Sequence, residues 1–240
     1  MRGRKLLPGK PVPPSEIPDY GIARDTLEEE LSQHFLLRLA VLNGVVARTG
    51  ERLEGNLFYA DGAQNFLGRR PAPELAPARR NLWRACRFKT RVLEVGVNAG
   101  HSALLALSCN PRLEYYGVDI MEHAYTAECV DYLKGEFPGR IHLYPGDSRE
   151  VLPWLLERNE TDFDLFCVDG GHTSEVCLSD VAHCIRMCSG EKGRHLLLDD
   201  VHASWIFDIF CDFVARGDLT AETFFDDWED EGRNLLARIA

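Results

Sequence analysis

The chain has no apolar run of about 18 residues, the length a membrane-crossing helix needs. Its eight cysteines include no Cys-x-x-Cys pair, so the tight paired spacing that structural zinc sites favour is missing. Positive charge is scarce. Lys and Arg number 27 against 38 Asp and Glu, for a formal net charge of −11, and that average field repels a nucleic-acid polyanion. There is no internal repeat. The opening stretch MRGRKLLPGKPVPPSEIP is basic but lacks the apolar segment of a secretory signal, so a cytosolic protein is expected. In that compartment Cys177, Cys184 and Cys188, which share a helical spacing near His183, read as buried free thiols rather than disulfides or metal ligands.

At 240 residues and 45% hydrophobic, the chain suits one α/β domain with an N-terminal extension. Residues 1–24, rich in proline and charge, read as an arm. Residues 25–89 read as a helical and looped lid that serves the substrate or a second subunit, and residues 90–240 as the main domain. In the lid, Asp25-Thr26 are placed to cap a helix carrying Leu27, Leu31, Phe35, Leu39 and Leu42, ending near Asn43-Gly44. A Gly- and Pro-rich loop follows, then a helix over Ala78–Cys86. The cluster Arg69, Arg70, Arg79, Arg80, Arg84, Arg87, Lys89 and Arg91 reads as a solvated face or a contact for a small anion.

From RVLEVGV onward the pattern alternates. Strands are expected at RVLEVGV, LEYYGVDI, RIHLYPGD, FDLFCVDG, RHLLLDDV, TAETFFDD and NLLARIA, with helices between most of them. Nearly continuous apolar strands imply a mostly parallel seven-stranded sheet with helices on both faces, and a ligand beyond the strands' C-terminal ends.

Those ends carry the chemistry. Gly96 lets the chain leave the first strand sharply, and Gly100 lets a helix start close to a ligand, with free backbone N–H groups for an anion. A dinucleotide fingerprint would need glycine at 98 and 101, where Asn98 and His101 stand, which argues against a nicotinamide oxidoreductase. Asp119 ends the second strand and suits the hydroxyls of a ribose, with Ile120 beside it. Asp147-Ser148 end the third and suit an adenine amino group.

The segment VLEVGVNAGHSALLAL resembles the first motif of class I S-adenosylmethionine (SAM)-dependent methyltransferases, in the form found in catechol-type O-methyltransferases. FDLFCVDGGHTSEVCLSDV is similar to the DG-x-H-(S/T)-x-E stretch of methyltransferase family 24. The resemblance covers about residues 90–202 and implies a Rossmann-like class I methyltransferase fold. It further implies that Glu94, Gly96 and Gly100 hold the amino-acid end of SAM, with Ser102 near its carboxylate, and that Asn98 and His101 belong to the cofactor-binding set. Asp119 and Ile120 then take its ribose, Asp147 and Ser148 its adenine, and Asp169 lies beside them. Asp169, Asp199 and Asp200 align with the catechol-type metal site, which implies Mg²⁺ or another divalent cation acidifying an acceptor hydroxyl. Gly171 stands where some metal-dependent sugar methyltransferases carry an aspartate base, and no lysine follows the first metal aspartate, so the base falls to His172 or His202.

The expected activity is O-methylation of a small hydroxylated metabolite such as a natural product, sugar or phenol, with no nucleic-acid or membrane partner and a possible homodimer. The alternatives are a metal-independent N- or carboxyl-methyltransferase, in which Asp199 and Asp200 are structural, a nucleotide-binding Rossmann protein, and a non-catalytic scaffold. An Asn/Asp-Pro-Pro-Tyr motif, typical of several N-methyltransferases, is replaced by Asp169-Gly170-Gly171-His172. Plainer readings also stand: Asp147 and Asp200 as helix caps, His101 as a surface residue, and Phe224, Phe225 and Trp228 as core. Tyr59, Phe66 and Trp83 either line the acceptor pocket or pack a lid.

Overall fold

The computed structural model describes residues 31–59, 71–188, 193–222 and 233–240. The arm, the Asp25-Thr26 cap, Arg69, Arg70, Phe66 and the Phe224, Phe225, Trp228 cluster lie outside them. Helices α1 (Gln33–Thr49) and α2 (Ala76–Cys86) precede the alternating part. That part runs β1 (Arg91–Val95), α3 (His101–Cys109), β2 (Glu114–Asp119), α4 (Ala124–Glu136), β3 (Ile141–Pro145) and α5 (Ser148–Glu157). It continues β4 (Leu165–Val168), α6 (Ser174–Met187), β5 (His195–Leu198), α7 (Ser204–Arg216), β6 (Leu219–Ala221) and β7 (Leu235–Ile239).

The strands form one seven-stranded sheet in the order β3-β2-β1-β4-β5-β7-β6. Strands β1 to β5 pair in parallel and β7 runs antiparallel to both of its neighbours. Strand residues alternate between two cores. Val92, Tyr115, Leu165 and Leu197 face the helices α1 to α4, and Leu93, Tyr116, Phe166 and Leu196 face α5, α6 and α7. This is the Rossmann-like arrangement expected of a buried, mostly parallel sheet. The order reverses between β1 and β4, which opens a crevice at their C-terminal ends.

Two expectations need correction. Helix α1 is capped by Ser32, whose Oγ accepts from Phe35 N at 3.1 Å, and it runs through Asn43-Gly44 to a left-handed Gly50. It continues because Val45 and Val46 extend the buried stripe and Asn43 turns inward, where its amide finds partners. The basic cluster, so far as it is described, is not a solvated face. Arg79 is wholly buried and donates to Leu57 O (2.6 Å) and Ala72 O (2.8 Å), and Arg84 is buried too. The Arg79 guanidinium thus satisfies two loop carbonyls from inside the protein. All eight cysteines are free thiols, and seven are buried. Among the described residues no helix is long and apolar enough to cross a membrane.

Candidate functional site

A cavity of about 630 Å³ opens at the C-terminal ends of β1 to β5, within the range of small-molecule sites, ~300–1,000 Å³. Its floor is the turn after β1. Gly96 has φ +92°, and a Cβ there would lie 2.0 Å from the carbonyl oxygen of Asp169, so the turns after β1 and β4 interlock only around a glycine. Gly100 (φ +73°) makes room for Leu133 of α4, not for a ligand as the sequence suggested. Asn98, also at positive φ, ties the turn to the lid. Its Nδ2 donates to Glu54 O and to Gly55 O (3.2 Å), and its Oδ1 accepts from Tyr125 Oη at 2.6 Å.

Asp119 is held by backbone. Its Oδ2 accepts from Val97 N and Asn98 N, both at 2.9 Å, and its Oδ1 from Met121 N at 2.7 Å. These bonds aim the carboxylate at the cavity; both lone pairs of Oδ2 are engaged, and Oδ1 keeps one for a ligand hydroxyl. Ile120 and Ser148 also line the wall. Asp147 lines it too, but its carboxylate caps α5 through Arg149 N (2.9 Å) and pairs with the Arg149 guanidinium at 2.5 Å. The capping role weighed for it is therefore present.

Glu94 does not reach this cavity. Burial pushes its carboxyl up to about 7, opposed by bonds from Tyr115 Oη and from Ser102 Oγ at 2.7 Å. Glu94 thus anchors Ser102 from behind α3 and bounds, with Asp169 and Asp199, a crevice of about 20 Å³, enough for one water. His101 is buried rather than on the surface. Its Nε2 lies 3.0 Å from Asn43 Oδ1, and burial pulls its pKa down to about 4.

At the β4 and β5 ends, Asp169, His172 and Asp200 each offer a ligand atom within 4.8 Å of the others. The sequence proposed Asp199 in that trio. The structure puts His172 there and sets Asp199 deeper, accepting from Asp200 N at 2.9 Å. Asp200 adopts φ +54° and turns its Oδ2 to His172 Nε2 at 2.8 Å. It does not cap α7, which begins without a side-chain cap. The carboxylates crowd one another. Burial and the neighbouring acids push Asp169 well above the usual range, although it opens onto the cavity, and push Asp199 up to about 7. The His172 hydrogen bond holds Asp200 down, and Asp200 in turn raises His172. His202 stands 3.6 Å from Asp200 by its Nδ1 and is not on the cavity wall, so it braces Asp200 rather than facing a ligand.

The lid supplies Glu51 and Asn43, which sequence patterns did not reveal as parts of the site, and Tyr59, which one of its two readings had placed there. Glu51 accepts from Ala124 N at 3.1 Å and so caps α4 at the cavity rim. Tyr59 lines the wall, and Asn43 stands behind it. Trp83 is buried in the core away from the cavity. Arg233 joins the wall beside Asp199 and Asp200. Only the spacing between lid and strand ends in three dimensions shows these partners, which are more than forty residues apart in several cases, as His101 and Asn43 are.

Comparison with known proteins agrees with this geometry. Residues 93–201 match the family model described as a methyltransferase domain. An O-methyltransferase from Bacillus cereus, solved with S-adenosylhomocysteine, superposes with TM-score 0.59 at 10% identity, over 86% of this chain and 90% of that one. TomG of Streptomyces achromogenes, an O-methyltransferase of tomaymycin synthesis solved with SAM, gives TM-score 0.55 at 16% identity, over 69% and 80%. A tRNA (guanine-N(7)-)-methyltransferase of Chelativorans sp. (strain BNC1) is 31% identical over 77 residues, which are 32% of this chain and 33% of that protein. The match thus spans about a third of that curated relative's length. Residues 93–201 thus match a methyltransferase domain, and the fold is the one these solved O-methyltransferases share.

Proposed function

We propose that the protein transfers the methyl group of SAM to a hydroxyl oxygen of a small acceptor, with a divalent cation held by Asp169, His172 and Asp200. The observation that carries this reading is the convergence of Asp119, the α3 N-terminus and the Asp169–His172–Asp200 cluster on one cavity. In it Asp119 binds the ribose hydroxyls, and the backbone N–H groups at the start of α3 take the amino-acid carboxylate. The sulfonium then lies over the gap between β1 and β4, facing the acidic cluster.

The donor set fits a cation. Carboxyls whose proton affinity is raised by crowding gain from a positive charge among them. One imidazole beside two carboxylates suits Mn²⁺ or a later ion as well as Mg²⁺. When bound, such an ion lowers the pKa of an acceptor hydroxyl. Positioning does the rest, by holding the nucleophilic oxygen in line with the methyl group. His172 has two uses that exclude each other: cation ligand, or base oriented by Asp200.

A small acceptor is part of the same reading, as is a homodimer through α1, where Leu37 and Val41 are exposed one turn apart. The tRNA of the curated relative is not carried over. The net charge of −11 opposes a polyanion, and the described arginines nearest the lid are engaged inside the protein. A cytosolic location suits eight free thiols.

Transfer of labelled methyl from SAM to a panel of phenols, sugars and hydroxylated metabolites tests this. Turnover lost on chelation, restored by Mg²⁺ or Mn²⁺ and absent in Asp169→Asn is expected. Turnover that survives chelation but disappears in His172→Gln would make His172 the base and remove the cation from the mechanism.

A further inference from the structure

Asn43 is buried in the middle of α1, a position where asparagine does little for a helix. Its carboxamide sits between two side chains of the cavity wall. Its Nδ2 donates to Tyr59 Oη at 2.7 Å, and its Oδ1 faces His101 Nε2 at 3.0 Å. The His101 ring is also fixed edge-on to Tyr59, with centroids 6.3 Å apart, and against Phe58 at 5.7 Å. With the amide nitrogen given to Tyr59, the amide oxygen must accept, so His101 carries its proton on Nε2. Its Nδ1 is then a lone-pair acceptor, and no described residue bonds to it.

His101 is the first residue of α3, at the end of β1. Asp119 on β2 marks the ribose side of the cavity, and Asp169 after β4 marks the transfer end. In the cofactor reading above, the stretch of SAM over β1 is its amino-acid arm, which ends in a carboxylate and an ammonium. The α3 backbone N–H groups suit the carboxylate but repel the ammonium, which needs an acceptor.

We propose that His101 Nδ1 accepts a hydrogen bond from the ammonium of the cofactor's amino-acid arm, with Asn43 as the positioning residue that fixes the acceptor tautomer. This rests on the SAM reading above. It makes α1 and the Tyr59 segment, outside the matched domain, a working part of the cofactor site. Burial keeps the ring uncharged, so it does not repel the ammonium.

The test compares S-adenosylhomocysteine with 5′-methylthioadenosine, which keeps the nucleoside and sulfur but lacks the arm. Calorimetric titration of wild type and His101→Phe is expected to show S-adenosylhomocysteine binding weakened about tenfold or more, as for a lost bond to a charged group. Methylthioadenosine binding should be unchanged, which also shows that the variant folds. Nitrogen-15 NMR of the free wild-type protein should report the Nε2–H tautomer at His101, with that preference lost in Asn43→Leu. Equal effects on both ligands, no effect on either, or an Nδ1–H tautomer would overturn the assignment to His101 while leaving the cofactor reading intact. Failure of the wild type to bind either ligand would overturn the cofactor reading and this inference with it.

Discussion

Asp180 lies fully buried on α6 beneath Gly170, and neither of its carboxylate oxygens has a hydrogen-bond partner. Burial raises its pKa to about 6. The folded state therefore holds this proton more tightly than the unfolded chain, so stability falls as pH rises from the ordinary aspartate value through about 6 and is flat above. Asp180→Asn, which needs no ionisation, should raise the melting temperature at pH 8, by an amount corresponding to up to about 3 kcal/mol. Near pH 4 the difference should vanish, as thermal melts at the two pH values will show. Residues differ in how plainly a sequence announces them. Asp119 was legible because a strand-end acid is placed by its strand alone. Asp180 and Asn43 were not, because their meaning lies in what packs over them. His172 was read as a base, and its membership of the ligand cluster follows from the left-handed turn at Asp200 that swings the two side chains together.

Among the elements, the turn after β1 is the one the site depends on most. Gly96→Ala places a methyl group 2.0 Å from a backbone oxygen that cannot move without shifting β4. It should cost about 3 kcal/mol or more, and should abolish nucleoside binding. Gly139→Ala, at a similar positive φ but with nothing within 4 Å, should cost only about 1 kcal/mol of backbone strain. Chemical denaturation of the two variants side by side separates steric interlock from conformational strain. The strands and α3 to α7 were readable because alternation of buried strands and amphipathic helices is a local pattern. Helix α1 was misread at its end because Asn-Gly is a stop signal only when the asparagine faces solvent, and Asn43 faces Tyr59 and His101.

For the molecule as a whole, the two cores divide the labour. The α5–α7 side supports the sheet, and the α1–α4 side carries the lid across the strand ends. The net charge of −11 is concentrated in function as well as in number, since Asp119, Asp169, Asp199 and Asp200 all border one cavity. The fold class followed from the sequence because it needs only the order of elements. The acceptor did not, because the segments that meet the strand ends across the cavity, such as Glu54 to Leu57, are brought there by tertiary contacts. The account stands or falls on the cofactor. Calorimetric titration of the purified protein with S-adenosylhomocysteine should give micromolar binding, weakened at least about tenfold in Asp119→Ala through loss of charged hydrogen bonds to the ribose. Absence of binding to the wild type, or binding that is indifferent to Asp119, would contradict it.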